Sequence, residues 1–402
     1  MPLTMRERLA VTRETAERYL RSGRAEKGRV LTELCAVTSY NRAYAARLLR
    51  AGPPEKDTRR TRRRAATYTA DVIGPLRKVW AVLGFACGKR VAAVMPETVA
   101  CLERFGELKL TDSVRERLLR ISPATIDRAL ASDRRGFAPS RIPTTRPGTM
   151  LKHQIPVRTW AEWDDARCGF LEIDLVAHAG GSGAGEFCYT LDATDIASGW
   201  TETRVVRNRA QVHVFLALTD IIAALPFPVL GIDSDNGSEF INDQLLRFCE
   251  REQITFTRSR PGNKNDGGHV EQKNWSVVRR TVGYARFDTP EELALLVELY
   301  DLLRLHTNFF MPSARLIAKT RSGAKVSRRH DTPKTPLARV VASSEINDDG
   351  KAALTGHYET LNPAELMRRI TTLQQRLDRF TTLKETTRRK GVQAPILEHI
   401  LR

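Results

Sequence analysis

The order of strand-like and helix-like segments within residues 157–310 constrains the fold of this chain more than any other feature. Three strands separated by short turns predict an antiparallel meander, and the two βα units that follow predict parallel crossovers. Together they predict an α/β architecture, a mixed five-stranded sheet with helices on both faces. The predicted strands are 169–176, 186–193, 200–206, 229–232 and 254–257, and the predicted helices are 209–224, 239–251 and 269–284.

Three carboxylates fall where this topology brings them to one edge of the sheet. Asp174 lies inside the first strand, Asp235 directly follows the fourth, and Glu271 opens the helix beyond the fifth. A charge inside an apolar strand is costly unless it is paired or bound to a metal. Hard cations such as Mg²⁺ prefer a few oxygen ligands from protein. The trio therefore predicts a catalytic site that binds two such ions.

Each acid also has a simpler explanation. Asp235 begins Asp-Asn-Gly, which favours a turn, and Glu271 suits the positive end of a helix dipole. The spacing of the trio inside a basic protein favours the catalytic interpretation. Other polar residues nearby are weaker candidates, and for the two histidines an ordinary surface or hydrogen-bonded role is favoured over contact with metal or DNA. These residues are Glu172, Asp233, Glu239, His178 and His269.

Composition indicates a polyanionic partner. The 402-residue chain has a net charge of +18, concentrated in residues 1–150 and 301–402, whereas 151–300 is net acidic. Basic arms around an acidic middle are typical of nucleic-acid binding. A membrane surface is the alternative, but the sequence has no lipidation signal and no basic amphipathic anchor, so nucleic acid is favoured.

Cysteine usage and the N-terminus predict a cytoplasmic protein. The six cysteines form no CxxC pair and have no zinc spacing with the eight histidines. We therefore expect reduced, mostly buried thiols. We see no signal peptide at the N-terminus and no apolar run long enough to span a membrane.

Composition predicts four regions separated by basic or proline-rich linkers. The last region is expected to be basic and to end in a helix. Length alone is compatible with two or three domains. The predicted regions are a helix-turn-helix region at 1–52, a second helical region at 65–135, the α/β core at 157–310 and the C-terminal region at 311–402.

Two helix pairs predict helix-turn-helix DNA-binding units, although a plain helical bundle with solvated arginines fits the same pattern. The first pair is 29–37 and 41–50, joined by Thr38-Ser-Tyr40. The second is 113–119 and 122–130, in which Ser122 suits the N-cap and Pro123 the first helical position. Each second helix would enter a DNA groove.

Basic side chains near these elements are the predicted DNA contacts. Trp275, four residues after Glu271, is expected to pack in the core rather than stack on a base. The predicted contacts are Arg42, Arg47, Arg59, Arg60, Arg62, Arg63, Arg64, Arg128, Arg258, Arg260, Lys264 and Lys273.

The C-terminal region adds a basic stretch and a terminal helix. Arg321, Lys325, Arg328 and Arg329 form a candidate second DNA-binding surface. The final helix opens with Asn362-Pro-Ala-Glu365, which suits an N-terminal cap. Its apolar residues follow a short heptad seam that either mediates self-association or docks on its own chain. The seam comprises Leu366, Ile370, Leu373, Leu377 and Phe380.

The middle region resembles the catalytic core of DDE transposases and retroviral-type integrases. The matching motifs are Glu172-Ile-Asp174, Ser234-Asp-Asn-Gly-Ser-Glu-Phe240 and Lys264-Asn-Asp-Gly-Gly-His-Val-Glu271. The run from Pro156 to about Val340 is similar to a bacterial insertion-sequence transposase. The resemblance implies an RNase H-like fold, catalysis by Asp174, Asp235 and Glu271, and two Mg²⁺ ions per site, for which Mn²⁺ substitutes.

Two departures accompany the resemblance. The chain lacks the His/Cys zinc region of retroviral integrases, and Asn265-Asp-Gly-Gly268 stands where the family often has Gln-Asn. The resemblance implies strand cleavage and strand transfer on double-stranded DNA, at element ends and a target, by a nucleoid-associated homo-oligomer. A structure-selective nuclease and a DNA-binding regulator with an inactive core are the alternatives.

Overall fold

The computed structural model describes residues 3–51, 67–134, 167–235, 237, 239–258 and 268–389, without the side chains at 319, 322, 325 and 385–389. The chain divides into two units, Met1–Thr67 and Tyr68–Arg402. No described helix combines the length and the apolar character that a membrane crossing needs.

The first unit is built from three mutually packed helices, α1 (Met5–Arg21), α2 (Arg24–Thr38) and α3 (Arg42–Ala51). Tyr19, Leu34 and Leu49 are buried at their centre. The two helices predicted between residues 29 and 50 correspond to α2 and α3. Ser39 joins them in a left-handed conformation with φ of 58°. The helical pair is confirmed, and its role in DNA binding stays a prediction.

The second unit begins with short helices that enclose a core of their own, including Leu76, Leu102 and Leu118. The predicted second pair is present, and the Ser122 hydroxyl accepts the N–H of Thr125 at 3.3 Å as its N-cap. The helices are α4 (Ala70–Val82), α5 (Gly88–Ala93), α6 (Met95–Arg104), α7 (Asp112–Leu119), α8 (Pro123–Ala129) and α9 (Ala131–Arg134).

A five-stranded mixed sheet follows in the order β3-β2-β1-β4-β5. β1, β2 and β3 form an antiparallel meander, and β4 and β5 add in parallel. The predicted fold class is therefore confirmed. The strands are β1 (Phe170–Ala177), β2 (Tyr189–Asp195), β3 (Thr201–Val206), β4 (Gly231–Ser234) and β5 (Thr255–Arg258), with crossover helices α10 (Gln211–Ala224) and α11 (Asp243–Arg251).

Alternation along β1 gives the sheet two unlike faces, since successive strand residues point to opposite sides. Leu171, Ile173 and Leu175 join the main hydrophobic core with Leu218 of α10 and Leu245 of α11. Glu172 and Asp174 occupy intervening positions, and both accept hydrogen bonds from the helical segment that follows β5. Glu172 and Asp174 therefore lie on the face of the sheet opposite to Leu171, Ile173 and Leu175.

The helix after β5 is not the single α-helix predicted for residues 269–284. It consists of α12 (Gly268–Lys273), a π-helical segment (Asn274–Arg279) and α13 (Arg280–Val282). Gly283, with φ of +67°, follows its end. Short π-helical insertions occur often at functional sites. Hydrophobic periodicity does not predict such an insertion.

The C-terminal helix docks on its own chain. Leu366, Ile370, Leu373 and Leu377 are buried in the main core, so of the two alternatives for this seam the structure supports docking on its own chain. Asn362 caps the helix as predicted, accepting the N–H of Ala364 at 3.0 Å. The elements here are α14 (Pro290–Phe310), β6 (Leu316–Ser322), β7 (Lys325–His330), α15 (Pro336–Val341), α16 (Asp348–Thr360) and α17 (Pro363–Arg389), and α17 packs against α14.

Polar contacts join the α4–α9 helices to the sheet region within the second unit. His306 Nε2 is paired with the Val82 carbonyl at 2.7 Å. Arg368 donates to Glu107 at 2.7 Å, and Arg280 donates to the Gly84 carbonyl. The predicted boundary near residue 135 lies outside the described residues and stays a prediction.

Candidate active site

Asp174 lies at the centre of the polar face, two-thirds of the way along β1. Its carboxylate accepts the N–H of Leu175 at 2.7 Å and the side-chain amide of Asn274 at 2.6 Å. The residue is partly buried. Two neutral donors thus hold both carboxylate oxygens and fix the direction of the side chain.

Asp235 stands beside Asp174 because β1 and β4 are parallel neighbours. Ile173 pairs with Ser234 in the register, and the next residue along the chain from each is an aspartate, Asp174 within β1 and Asp235 just past the end of β4. Asp235 Oδ1 accepts the N–H of Gly237 at 2.8 Å, which is the turn-forming contact of an Asp-X-Gly sequence. Asp235 therefore forms the turn and also presents its carboxylate at the strand end.

Glu271 reaches the same region from the first turn of α12, where it is exposed. Glu172 fixes the start of this helix. Its carboxylate accepts the N–H of His269 at 2.8 Å and that of Val270 at 3.0 Å. A carboxylate at a helix N-terminus accepts hydrogen bonds from N–H groups that have no acceptor within the helix, and its negative charge interacts favourably with the helix dipole. Glu172 therefore positions Glu271 from the middle of β1.

The carboxylate of Asp174 interacts electrostatically with those of Asp235 and Glu271. Burial raises the pKa of Asp174 to about 6, and the negative charges of Asp235 and Glu271 add to this rise. The donors Leu175 and Asn274 oppose the shift. Burial also raises the pKa of Asp235, against the opposing N–H of Gly237. A bound cation would relieve the repulsion among these carboxylates.

A fourth acid, Asp192, lies beside the trio. It is the direct cross-strand partner of Asp174 on β2 and is completely buried. Thr194 donates to its Oδ1 at 3.3 Å, while Oδ2 is buried without a hydrogen-bond partner. Burial raises the pKa of Asp192, and the neighbouring Lys273 opposes that shift. An Asp inside the strand Tyr189–Asp195 is the sequence signal that identifies it.

The position of Lys273 differs from the prediction that this residue contacts DNA. Its ammonium donates to the Gly199 carbonyl at 2.9 Å and interacts with Asp192 rather than projecting toward DNA. Burial lowers the pKa of Lys273, and the charge of Asp192 opposes the shift. Lys273 follows Glu271 by two positions, so it faces another side of the helix.

Trp275 was also wrongly predicted, since it is 46% exposed rather than packed in the core. Val277 and Val278 supply the buried side of this segment. The π-helical geometry that begins at Asn274 changes which residues face inward relative to a regular α-helix. Trp275 therefore presents an aromatic ring to solvent on the helix that carries Glu271.

The weaker candidates have structural roles in the described contacts. Asp233 is buried and accepts the Thr257 hydroxyl at 2.6 Å. His178 is buried, with Nε2 paired to the Thr190 hydroxyl at 2.7 Å. His269 is exposed, and its backbone rather than its ring contacts Glu172. Glu239 is partly exposed after the Asp235 turn.

The other predicted DNA contacts are scattered over the chain. Arg258 ends β5 opposite Ser234 in the register, at the same sheet edge as Asp235. Arg47 stacks on Tyr44, with 5.2 Å to the ring centroid, and Arg42 donates to the Thr32 hydroxyl at 2.8 Å, so its guanidinium contacts α2. Arg128 is exposed on α8. Arg59, Arg60, Arg62, Arg63, Arg64, Arg260 and Lys264 lie outside the described residues.

The carboxylates of the site suit a hard divalent cation whose remaining ligands are water and substrate oxygens. In the described part of the chain, no three His, Cys, Asp or Glu side chains form a ready metal-binding group. Mg²⁺ is usually bound by one or two carboxylates together with waters and substrate phosphates, rather than by an all-protein cage. The mutual repulsion at Asp174 and the unpartnered Oδ2 of Asp192 both fit a site that attracts positive charge.

Comparison with known proteins identifies the same region. The integrase core domain family matches residues 165–264. An uncharacterized protein of Sinorhizobium fredii, y4rM, is 40% identical over 337 residues, which cover 84% of this chain and 96% of y4rM.

Similar solved structures are catalytic cores of retroviral integrases. The BIV integrase core is 20% identical and aligns over 42% of this chain and 91% of its own, with a TM-score of 0.29. The HTLV-2 integrase core, solved in complex with magnesium, is 15% identical over 37% of this chain and 93% of its own, also with a TM-score of 0.29.

Proposed function

Because this chain belongs to the family of Sinorhizobium fredii y4rM and is a DDE integrase/transposase-like protein, we propose that it is a transposase that cuts and joins DNA at the ends of a mobile element. Its integrase core assigns it to polynucleotidyl transferases of the transposase/integrase type. The observation that supports the finer proposal is geometric: strand register puts Asp235 beside Asp174, and Glu172 and Asn274 tie the helix that carries Glu271 to the same strand.

Asp174, Asp235 and Glu271 would hold two Mg²⁺ ions, with Mn²⁺ as a substitute. Such ions stabilise the entering and leaving oxygens of an in-line displacement at phosphorus. The chain itself contributes orientation. Leu175 and Asn274 fix Asp174, and Glu172 holds the helix that carries Glu271.

Two successive displacements account for cutting and joining. In the first, a water oxygen attacks a phosphorus at the element end, and the 3′ oxygen of one strand leaves. In the second, that 3′-hydroxyl attacks a phosphorus of target DNA, whose own 3′ oxygen leaves. Each step exchanges one phosphodiester partner for another, so no covalent protein–DNA bond is required.

The helical regions would recognise the element ends. Arg47 on α3 and Arg128 on α8 are exposed on second helices of the two helix pairs, the position that enters the major groove in helix-turn-helix proteins. Joining two ends requires two active sites that work together, so we propose a homo-oligomer assembled on DNA. Because α17 docks on its own chain, the contact between protomers lies elsewhere than its seam.

A joining assay tests this function against its two alternatives. The purified chain is incubated with Mg²⁺ or Mn²⁺, a supercoiled target plasmid and labelled DNA taken from either side of its own gene. A transposase produces nicks at fixed positions and then covalent joining of the label to the plasmid. Cleavage without joining would support a structure-selective nuclease, and specific binding without cleavage would support a regulator with an inactive core.

A further inference from the structure

The hairpin formed by β6 and β7 is exposed on both sides. Every side chain described between Leu316 and His330 is exposed. Three of them are large and apolar, Leu316 at 51%, Ile317 at 53% and Val326 at 42% exposure. A two-stranded ribbon without a covered face is marginally stable alone in water. Within the described part of the chain neither face of this ribbon is covered, so a partner would stabilise it.

The base of the ribbon is fixed firmly to the rest of the unit. Asp331 accepts the N–H of Arg315 at 2.6 Å and the guanidinium of Arg339 at 2.7 Å. Arg339 also donates to the Ser313 carbonyl at 2.9 Å, and Ser313 pairs with Lys334 as an isolated bridge. The ribbon therefore projects from a rigid anchor, and its direction is set by the fold.

The ribbon closes in a tight turn at its far end, and its register shifts between Leu316 and Ala318 near its base. Ser322 pairs with Lys325, which leaves Gly323 and Ala324 as a two-residue loop. Gly323 has φ of +58°, a conformation that two-residue hairpin loops require and that glycine adopts without strain. At about 3.3 Å per residue the seven-residue β6 spans roughly 20 Å. That length exceeds the major-groove width of about 12 Å.

The charge of the ribbon selects the partner. From Leu316 to His330 the sequence has five Lys or Arg residues and no Asp or Glu. Arg321, Arg328 and Arg329 are exposed, and no salt bridge is described for any of them. A polyanion complements this surface, and the major groove of duplex DNA accepts a two-stranded β-ribbon.

We propose that the β6–β7 ribbon inserts into a groove of duplex DNA. The arginines would contact phosphates on both sides of the groove. Leu316, Ile317 and Val326 would contact apolar base edges such as thymine methyl groups. The inference rests on the proposed function for the identity of the polyanion as DNA. It assigns the C-terminal region a DNA surface separate from the carboxylate site and from the helix pairs.

The test compares two triple variants of the full-length chain. One is Arg321→Ala/Arg328→Ala/Arg329→Ala on the ribbon. The matched control is Arg369→Ala/Arg376→Ala/Arg379→Ala, which removes the same charge from exposed positions of α17. Binding of a fluorescein-labelled duplex is measured by anisotropy across a salt series in EDTA, so that no strand chemistry takes place.

The ribbon variant should lose about tenfold or more in affinity, and its log–log salt slope should fall by roughly 2–3, about 0.9 for each lost phosphate contact. The control should lose much less on both measures. A variant with lysine at the three ribbon positions should keep most of the slope, because phosphate attraction depends on charge. Equal losses in the ribbon and control variants, or a lysine variant as weak as the alanine one, would overturn the proposal.

Two further results separate this inference from the proposed function. A wild-type chain that fails to join strands while the ribbon effect on binding persists would reject the transposase and retain the ribbon. Sedimentation of the DNA-free variants gives the second result. A change of oligomeric state in the ribbon variant alone would overturn DNA as the partner and assign the surface to a second copy of the chain.

Discussion

Asp174 and Asp192 are direct cross-strand partners on adjacent antiparallel strands, so their carboxylates lie side by side on the polar face of the sheet. Directly opposite like charges destabilise a sheet unless another group compensates for them. Lys273 provides positive charge beside Asp192, and the donors Asn274 and Leu175 hold Asp174. The two strand carboxylates thus form the centre of the site, and the donors and the positive charge around them compensate for their repulsion.

The Asp192–Lys273 interaction should appear as a coupling energy. Asp192→Asn and Lys273→Met should each lower the free energy of unfolding, because each leaves a buried group without its electrostatic partner. The double variant should lose less than the two single losses combined, with a coupling of about 1 kcal/mol. Urea unfolding of the four proteins measures this. Additive losses would mean that the two groups do not interact.

Glu172 should control the placement of Glu271. Glu172→Ala removes the acceptor of two N–H groups at the start of α12, and loss of such a cap costs about 1 kcal/mol. Amide exchange within residues 268–273 should accelerate, and strand cleavage should slow, while duplex binding is kept. Glu172→Gln, which keeps a carbonyl acceptor, should restore part of the protection. Unchanged exchange in the alanine variant would remove Glu172 from this role.

Most of the fold could be predicted from the sequence because the strand and helix patterns are local and periodic. The meander, the crossovers and the caps at Ser122 and Asn362 follow from such patterns. The π-helical segment and the exposure of Trp275 do not, since they depend on how one helix fits over the sheet. The docking of the Leu373 face on α14 was equally undetermined, because a short apolar seam suits either partner.

The acids of the candidate site could be predicted from the sequence, but the residues that surround and position them could not. Asp174 and Asp235 stand out because each interrupts or directly follows an apolar strand. The pairing of Asp192 with Asp174 depends on strand register, and the inward path of Lys273 depends on the position of the β2–β3 turn at Gly199. Long-range geometry of this kind leaves no periodic signal in the sequence.

Trp275 should stack on an unpaired base near the site. The ring is exposed on the helix that carries Glu271, and stacking on an aromatic side chain is worth about 1–3 kcal/mol per base. Trp275→Ala should therefore weaken binding to DNA with a frayed end by about tenfold or more, with little effect on a closed duplex. Trp275→Phe should retain most of the affinity. An alanine variant that kept wild-type affinity for the frayed end, or that lost affinity equally for both DNA forms, would exclude stacking.

Glu107 should make the stability of the second unit depend on acidic pH. Hydrogen bonds from Arg368 and Asn362 lower its pKa to about 2. Because the folded pKa lies below the ordinary value of 4.5, the contribution is complete above that value and is lost as pH falls toward 2. Arg368 is half exposed, so screening by solvent keeps the effect at about 1 kcal/mol. Glu107→Gln should show a flatter loss of stability between pH 4.5 and 2 in thermal unfolding. Parallel curves for the two proteins would contradict the assignment.

The most direct test of the central claim is strand cleavage by three conservative variants, Asp174→Asn, Asp235→Asn and Glu271→Gln. Each removes one charged oxygen ligand and leaves the basic surfaces intact. Cleavage of DNA from the flanks of the gene is measured with Mg²⁺ or Mn²⁺, and binding to the same DNA is measured with Ca²⁺. The account predicts that all three variants bind nearly as well as the wild-type chain and fail to cut. Near wild-type cleavage by any one of them would contradict the assignment of these acids as the catalytic trio.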